Sequence, residues 1–516
     1  MVLKWIILLS SMCRPCAAVT SPRREFCDFQ TTAKHAYHFI FPNPSQTTMT
    51  LLQFLRQARQ VHLQFLAGTL PESPIYVLGN PSADLDSIIS AIVYSYCAHN
   101  RLPTTTPRPH IPLLNLSNVP AGPELYRLRP EFVTALWLST SFPSLRPEEQ
   151  FDPTSDSAGK LLGEHLVTVA DFARSLKELS TMNKIQADAV MVDWNAMQER
   201  VDGKPGDGSV SGLEEVTFRT VGCIDHHVDE HFVPRPEDLP SGQPLIIQPG
   251  PGSCSSLITS ELKKRGFWTV SQDTSSEAEI AQVAKLALGP ILIDTSNLTA
   301  EGKVKDVDIQ SVGFLQNLVS GASSSTDPAW DMKAFYEQID DAKRNSLDLL
   351  SPEEILDRDF KDWTEQTQSS GQNLKLGFCS SVKPIRWIIQ KAGGPQQFLE
   401  VVRKFAQRED KELDMVVVMT SFSSAEDQHT RELFICVSQE SGLTVDGIKK
   451  FINESSSLGL IEWTPLDGEC VDLVEADIRD TLNGTSEVWR HLWVQTNATA
   501  SRKQVAPMLR DAVAKL

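Results

Sequence analysis

From Leu51 the chain takes on a helical period. Leu51, Phe54, Leu55, Ala58, Val61 and Phe65 recur at three- and four-residue intervals and share one helix face. Before that, residues 1–48 show no period and read as a poorly ordered N-terminal extension. Four apolar runs follow, at Ile75–Leu78, Ala189–Val192, Thr220–Ile224 and Pro290–Ile293. They are short and apolar throughout, which predicts buried strands. Each runs straight into a polar motif: Asn80-x-x-x-Asp84-x-Asp86, Asp193, Asp225-His226-His227 and Asp294. A helix starting near Asp86 runs through Ile88, Ile89, Ile92 and Val93. Repetition of this strand–loop–helix unit predicts an α/β domain, doubly wound around a mostly parallel sheet. Its polar motifs then fall at the carboxyl ends of strands, where ligands bind in open α/β sheets.

The pattern changes after about residue 320. Gly321–Asp327 reads as a linker, followed by a helical segment from about Trp330 to Leu349. Strands are predicted at Leu374–Phe378, Met415–Met419, Leu433–Cys436 and His491–Val494, with a closing helix near 503–515. This half reads as a smaller mixed α/β domain. The expected division is 1–48 extension, 49–322 first domain, 323–332 linker and 333–516 second domain.

Composition narrows the function. A chain of 516 residues is too long for one ordinary core. Its formal charge is -18, from 66 acidic and 48 basic residues, which disfavours nucleic acid as a partner. Nine cysteines without regular spacing read as reduced thiols, and Cys13-x-x-Cys16 is a lone pair. Residues 1–18 carry a weak signal-like pattern, with Lys4 ahead of a short apolar stretch. No later stretch reaches membrane-spanning length, and a cytoplasmic location, without a membrane partner, is expected.

Asp84 and Asp86 are two residues apart at a helix start. Alternate residues of an extended segment point to one side, and two such carboxylates repel unless they share a cation. Either could instead be a simple helix cap. The recurrence of Asp193, His226 and Asp294 at other strand ends favours a metal. Imidazole is a common ligand, and Asp225 could ligate or orient it. Ser253, ahead of a helix at Leu257–Lys264, reads equally as a cap or as part of an anion cradle.

These residues resemble the DHH phosphoesterase superfamily, in the branch of exopolyphosphatases, prune-like proteins and family II inorganic pyrophosphatases. The similarity is carried by Gly79–Ser87, Val192-Asp-Trp-Asn195, Ile224–His227, Gly252-Ser-Cys254 and Leu292–Asn297. In the second half, Arg358-Asp-Phe-Lys361, Met419-Thr420 and Ser501-Arg-Lys-Gln504 resemble the companion DHHA2 domain. The resemblance implies that Asp84, Asp86, Asp193, His226 and Asp294 ligate two divalent metals, Mg2+ or Mn2+ with Co2+ as a further option. It implies that His227 sits beside the reacting phosphate and that Lys361, Arg502 and Lys503 hold phosphate oxygens. Asp225 and Asn80 join His227 as candidate catalytic residues, and Ser253 is a further candidate substrate contact. Asn80 stands where the family II pyrophosphatases carry His. Loss of that nitrogen leaves a more oxygen-rich site, suited to Mg2+, and shifts the expected substrate toward polyphosphate ends. The expectation is a monomeric exopolyphosphatase that releases orthophosphate from inorganic polyphosphate by a metal-activated water. The alternatives are hydrolysis of pyrophosphate, short polyphosphates or nucleoside polyphosphates, a nuclease of the same superfamily, and a prune-like interaction protein.

Overall fold

A computed structural model describes residues 49–516 apart from 101–107, 142–149, 180–183, 269–274, 323–329, 349, 424–427, 438–441, 465–474 and 485–488. The expected extension at 1–48, with its signal-like segment and Cys13/Cys16, and most of the expected linker at 323–332 lie outside the described residues.

The first sheet comprises β1 (Ile75–Leu78), β2 (His110–Leu114), β3 (Val167–Thr168), β4 (Ile185–Val192), β5 (Glu199–Arg200), β6 (Asp207–Ser209), β7 (Val216–Asp225) and β8 (Leu245–Ile247). Its order is β3-β2-β1-β4-β7-β6-β5, and β8 also pairs with β7. Strands β3, β2, β1, β4, β7 and β8 are parallel, and β5–β6–β7 pair antiparallel. Helices pack around it: α1 (Leu85–His99), α2 (Cys254–Lys264), α3 (Ser275–Asp294) and α4 (Met332–Arg344) among them. One core unites these elements from Leu51 to Ile339. It therefore reaches beyond the expected linker, since Phe335 and Ile339 of α4 pack into it.

One predicted strand is a helix. Pro290–Ile293 belongs to α3, not to the sheet. Periodicity cannot separate a short apolar run from a slice of a buried helix. Here Ala287, Leu288, Ile291 and Leu292 are fully buried within the twenty residues of α3, and Pro290 sits inside it. Asp294 thus ends a helix instead of a strand.

After α5 (Pro352–Arg358) comes a second sheet of β9 (Phe360–Gln366), β10 (Asn373–Ser381), β11 (Met415–Thr420), β12 (Phe422–Ser423), β13 (His429–Val437), β14 (Leu460–Glu462) and β15 (Arg490–Gln495). Its order is β14-β15-β13-β11-β10-β9, parallel only between β10 and β11. Alternation along β11 divides the packing. Val416 and Val418 face one apolar cluster, while Met415, Val417 and Met419 face the other. Helices cover both faces, and α6 (Arg502–Ala514) contributes Val505, Leu509 and Val513 to the second cluster. Both halves are the α/β domains expected.

No helix among the described residues is long and apolar enough to cross a membrane.

Gly79 joins β1 to the motif loop and presses on α1. A Cβ there would stand 2.7 Å from Ser87 Cβ and 3.0 Å from its carbonyl oxygen. Gly79→Ala should lower stability by about 1–3 kcal/mol through overpacking, read as a lower urea midpoint. Retention of the wild-type midpoint would show that α1 moves freely.

Candidate active site

The chain leaves β1 toward β2 and β3 on one side and returns to β4 on the other. Loops diverge at such a switch point and open a crevice at the strand ends. Asn80 and Asp193 follow these two strands and meet across it. Asn80 Nδ2 donates to Asp193 Oδ2 at 2.8 Å and to the Asp193 carbonyl at 3.3 Å. Ser87 Oγ donates to the same Oδ2 at 2.6 Å. Asp193 adopts a left-handed φ of 54°, a conformation uncommon for a non-glycine residue. Its other oxygen, Oδ1, is buried without a hydrogen-bond partner among the described residues.

That oxygen lies 3.2 Å from His226 Nε2. His226 Nδ1 lies 3.0 Å from the Pro251 carbonyl, which can only accept, so Nδ1 carries the proton and Nε2 presents its lone pair. Lys503 Nζ donates to this Nε2 at 3.1 Å. Burial, then Lys503, lowers the His226 pKa. One ligand atom each from Asp193, His226 and His227 lie within 4.8 Å of one another.

His227 Nδ1 lies 2.8 Å from Asp225 Oδ1. Burial opposes ionisation of Asp225, but the His227 hydrogen bond, both histidines and the Asn195 amide outweigh it and hold its pKa low. Nδ1 of His227 is therefore the donor. Burial pushes the His227 pKa down to about 3, so at neutral pH its Nε2 is a bare acceptor. Asn195, not among the residues expected at the site, braces this pair. Its Nδ2 donates to Asp225 Oδ2 and the Val228 carbonyl, and its Oδ1 accepts from Glu230 N at 2.8 Å. Its place in the Asp-Trp-Asn segment was the available signal.

Asp84 caps α1, its Oδ1 accepting from Ser87 N at 3.0 Å. Burial opposes its ionisation, but Lys361, the Ser87 N–H and Arg129 prevail and lower its pKa. Asp86 is buried against another helix. Its carboxylate accepts from Cys254 N at 2.7 Å, Ser255 N at 3.0 Å, Ser253 Oγ at 3.0 Å and Ser90 Oγ at 3.2 Å. Asp86 thus fills the N-terminus of α2. Of the two readings open for Ser253, the cap is the one seen: it is fully buried at the helix start, and the amides there hold this chain's own carboxylate. Asn80 is likewise engaged. Its Oδ1 accepts from Ser82 N and Oγ, so it orients Asp193 and presents no free oxygen.

Asp294 ends α3, where the helix dipole disfavours a carboxylate. Burial raises its pKa, and Lys343 Nζ lies 4.0 Å away. Ser296, Asn297 and Leu298 follow with φ of 48°, 54° and 64°. Left-handed non-glycine residues are rare even singly, so this turn is held by its surroundings. Asp294 lies outside the 4.8 Å cluster, although its charge reaches Asp86 and His226.

The second domain supplies cations. Ser501 and Gln504 form a capping box, which puts Arg502 and Lys503 in the first turn of α6. Arg502 spans Asp359, donating to its carbonyl and its Oδ1 at 2.8 Å each. Burial works against the Asp359 charge, but Arg502 and Lys361 hold its pKa at about 2. Lys361, on β9, faces Arg502, Asp193 and Asp84; burial lowers its pKa.

The donor set fits a divalent cation. It has a buried oxygen without a partner, an unprotonated imidazole nitrogen 3.2 Å from it that already accepts from one cation, Lys503, and carboxylates whose ionisation their surroundings resist. In Asp86 and Asp193 burial and then neighbouring carboxylates raise the pKa.

A two-domain α/β protein with an acidic–imidazole cluster facing Lys361, Arg502 and Lys503 of its second domain is the class these features define. Residues 337–512 match the DHHA2 domain family, and the chain carries a DHHA2 domain. It is also similar to a protein of Schizosaccharomyces pombe named "Putative exopolyphosphatase", with 29% identity over 480 residues, covering 90% of this chain and 98% of that protein. Both findings are consistent with a DHH phosphoesterase.

Asp193→Ala or His226→Ala should weaken Mn2+ binding by about a hundredfold, measured by electron paramagnetic resonance of the free ion. Unchanged affinity would remove both from the metal site. The proton competes for the same oxygens. Asp86, Asp193 and Asp294 have raised pKa values, so protonation of these groups favours the metal-free fold, and that contribution is lost as pH rises through those values. Mn2+ should therefore raise Tm more at about pH 8 than at about pH 5.5. An equal or reversed difference would exclude these carboxylates as ligands.

Proposed function

We propose that the chain is a divalent-metal-dependent exopolyphosphatase, hydrolysing terminal phosphoanhydride bonds of inorganic polyphosphate to orthophosphate. The observation that carries this reading is the contact between the two halves of the site: Lys503 of the second domain bonds His226 of the first. In a chain of charge -18, lysines gathered around a buried acidic cluster favour a small, highly anionic substrate.

Asp84, Asp86, Asp193, His226 and Asp294 would hold two divalent ions, Mg2+ or Mn2+ with Co2+ as a substitute. When bound, such ions supply Lewis acidity that screens phosphate charge and lowers the pKa of water. The chain's own residues would do the rest. Asn80 and Ser87 hold one oxygen of Asp193 and leave the other free. Asp225 fixes the His227 ring, so a proton taken up at Nε2 is stabilised by the carboxylate behind it, and the same Nε2 can return it to a departing phosphate. Lys361 and Lys503 would neutralise phosphate oxygens, and phosphoryl transfer needs mainly such positioning and charge compensation. Asp359 pre-orients Arg502 as a further donor.

Phosphate release with Mg2+, Mn2+ or Co2+ should be faster from tripolyphosphate and long polyphosphate than from pyrophosphate. No release from any of them would remove the enzymatic reading, and a strong preference for pyrophosphate would turn it into a pyrophosphatase. Arg502→Ala should raise KM about tenfold or more with a smaller change in kcat, if the guanidinium contributes uniform binding. An unchanged KM would leave Arg502 as a partner of Asp359 alone.

A further inference from the structure

A buried charged triad joins the two domains beside the site and has no part in the reaction above. Arg129 lies in the joint between the helices Pro123–Leu128 and Pro130–Ser141 of the first domain. It is 1% exposed, Glu131 is 2% exposed, and Arg358 at the end of α5 is 7% exposed. One nitrogen of Arg129 donates both to the Ser82 carbonyl and to the Arg358 carbonyl. Arg358 reciprocates: its Nε donates to the Leu128 carbonyl at 3.1 Å and its guanidinium to Glu131 Oε1 at 2.7 Å. Glu131 Oε1 lies 3.9 Å from Arg129. Each arginine therefore grips the other domain's backbone, with one carboxylate between two cations.

Such a triad is a poor source of stability. Two guanidinium groups and one carboxylate lose hydration, and Arg129 Nε and Glu131 Oε2 are buried without hydrogen-bond partners among the described residues. What it offers is register. Ser82 lies two residues before Asp84 and four before Asp86, while Arg358 adjoins Asp359, which spans Arg502, and lies three residues before Lys361. A single guanidinium nitrogen thus ties the loop carrying two carboxylates of the cluster to the segment carrying its cations.

Resting on the reading of the site as a phosphate-hydrolysing centre, we propose that Arg129 is a positioning residue that holds the Asp84–Asp86 loop in register with the Asp359–Lys361 segment. A lysine would keep the charge, but its ammonium is more strongly hydrated than a guanidinium and less suited to this buried joint, and it lacks the second terminal nitrogen that Arg129 turns toward Glu131. The Arg127–Glu354 pair supplies a comparison. It also crosses between the domains, at 2.6 Å, but its partners are 39% and 37% exposed, so it is an ordinary surface bridge.

The test uses the full chain as wild type, Arg129→Lys, Arg129→Met and Arg127→Ala. Three quantities are measured: Mn2+ binding by electron paramagnetic resonance, binding of imidodiphosphate to the Mn2+-loaded protein by calorimetry, and steady-state phosphate release. Arg129→Lys and Arg129→Met should hold Mn2+ within about threefold of wild type but lose tenfold or more in imidodiphosphate affinity and kcat/KM. Arg127→Ala should match wild type in all three. The proposal is overturned if Arg129→Lys binds imidodiphosphate like wild type, if Arg127→Ala loses as much, or if the loss appears in Mn2+ binding alone. Should Arg129→Met not fold, Arg129→Lys carries the comparison by itself. Wild type that binds imidodiphosphate yet releases no phosphate would refute the proposed activity and leave the binding comparison to decide on Arg129. Wild type that binds none would overturn both.

Discussion

The structure depends on crowding several carboxylates into one buried crevice. Asp86 and Asp193 are buried, with Asp294 and Asp84 close enough to influence them electrostatically. Removed from water, such groups repel and resist ionisation. The fold answers with oriented donors. Asp86 receives two amides from the start of α2 and two serine hydroxyls, and Asp193 receives Asn80 and Ser87 on one oxygen. The remaining deficit is local, at Asp193 Oδ1 beside His226 Nε2, which Lys503 also contacts. A cation there would complete the electrostatics that side chains alone leave open.

Backbone conformation serves the same end. Ala83, Asp193 and the run Ser296–Leu298 all have left-handed φ and lie within or next to the motifs, leaving His231 and Glu412 as the other such non-glycine residues among those described. Strain of this kind persists where surrounding structure over-determines it. Here β1, β4 and α3 converge on one crevice, and each chain must turn sharply as it enters. The cations come from elsewhere. A helix start is an unfavourable place for Arg502 and Lys503, and the nearby acidic cluster offsets that cost. Lys503 bonds an imidazole of the first domain, so the candidate site draws on both halves of the chain.

Much of this was legible along the chain. Apolar runs at 75–78, 189–192 and 220–224 have no period other than continuous burial, and all three are strands of one sheet. The alternating contacts of Met415–Met419 follow from the two-residue repeat of a strand. The closing helix expected near 503–515 is α6, whose start the structure fixes at a Ser501–Gln504 capping box. The run at 290–293 misled because four apolar residues fit a buried helix as well as a strand. The first core also extends to Ile339 of α4, which loop composition around 321–327 gave no means of seeing.

The sequence by itself determined which residues could carry the chemistry, because carboxylate, imidazole and ammonium groups are written in it and local periodicity puts them at element ends. Tertiary structure decided their roles. Asp86 and Ser253 are far apart in the chain, and only packing of α1 against α2 turns the expected anion cradle into a socket for Asp86. Asn80 reads as a possible ligand until its amide is found on Asp193, and Asp225 as either a ligand or a support for imidazole until His227 is found on it. Arg129 and Arg358, separated by more than two hundred residues, carry no motif signal as a pair. Their partnership exists because two folded surfaces meet there, and hydrogen-bond geometry between distant segments is a property of packing that no local pattern encodes.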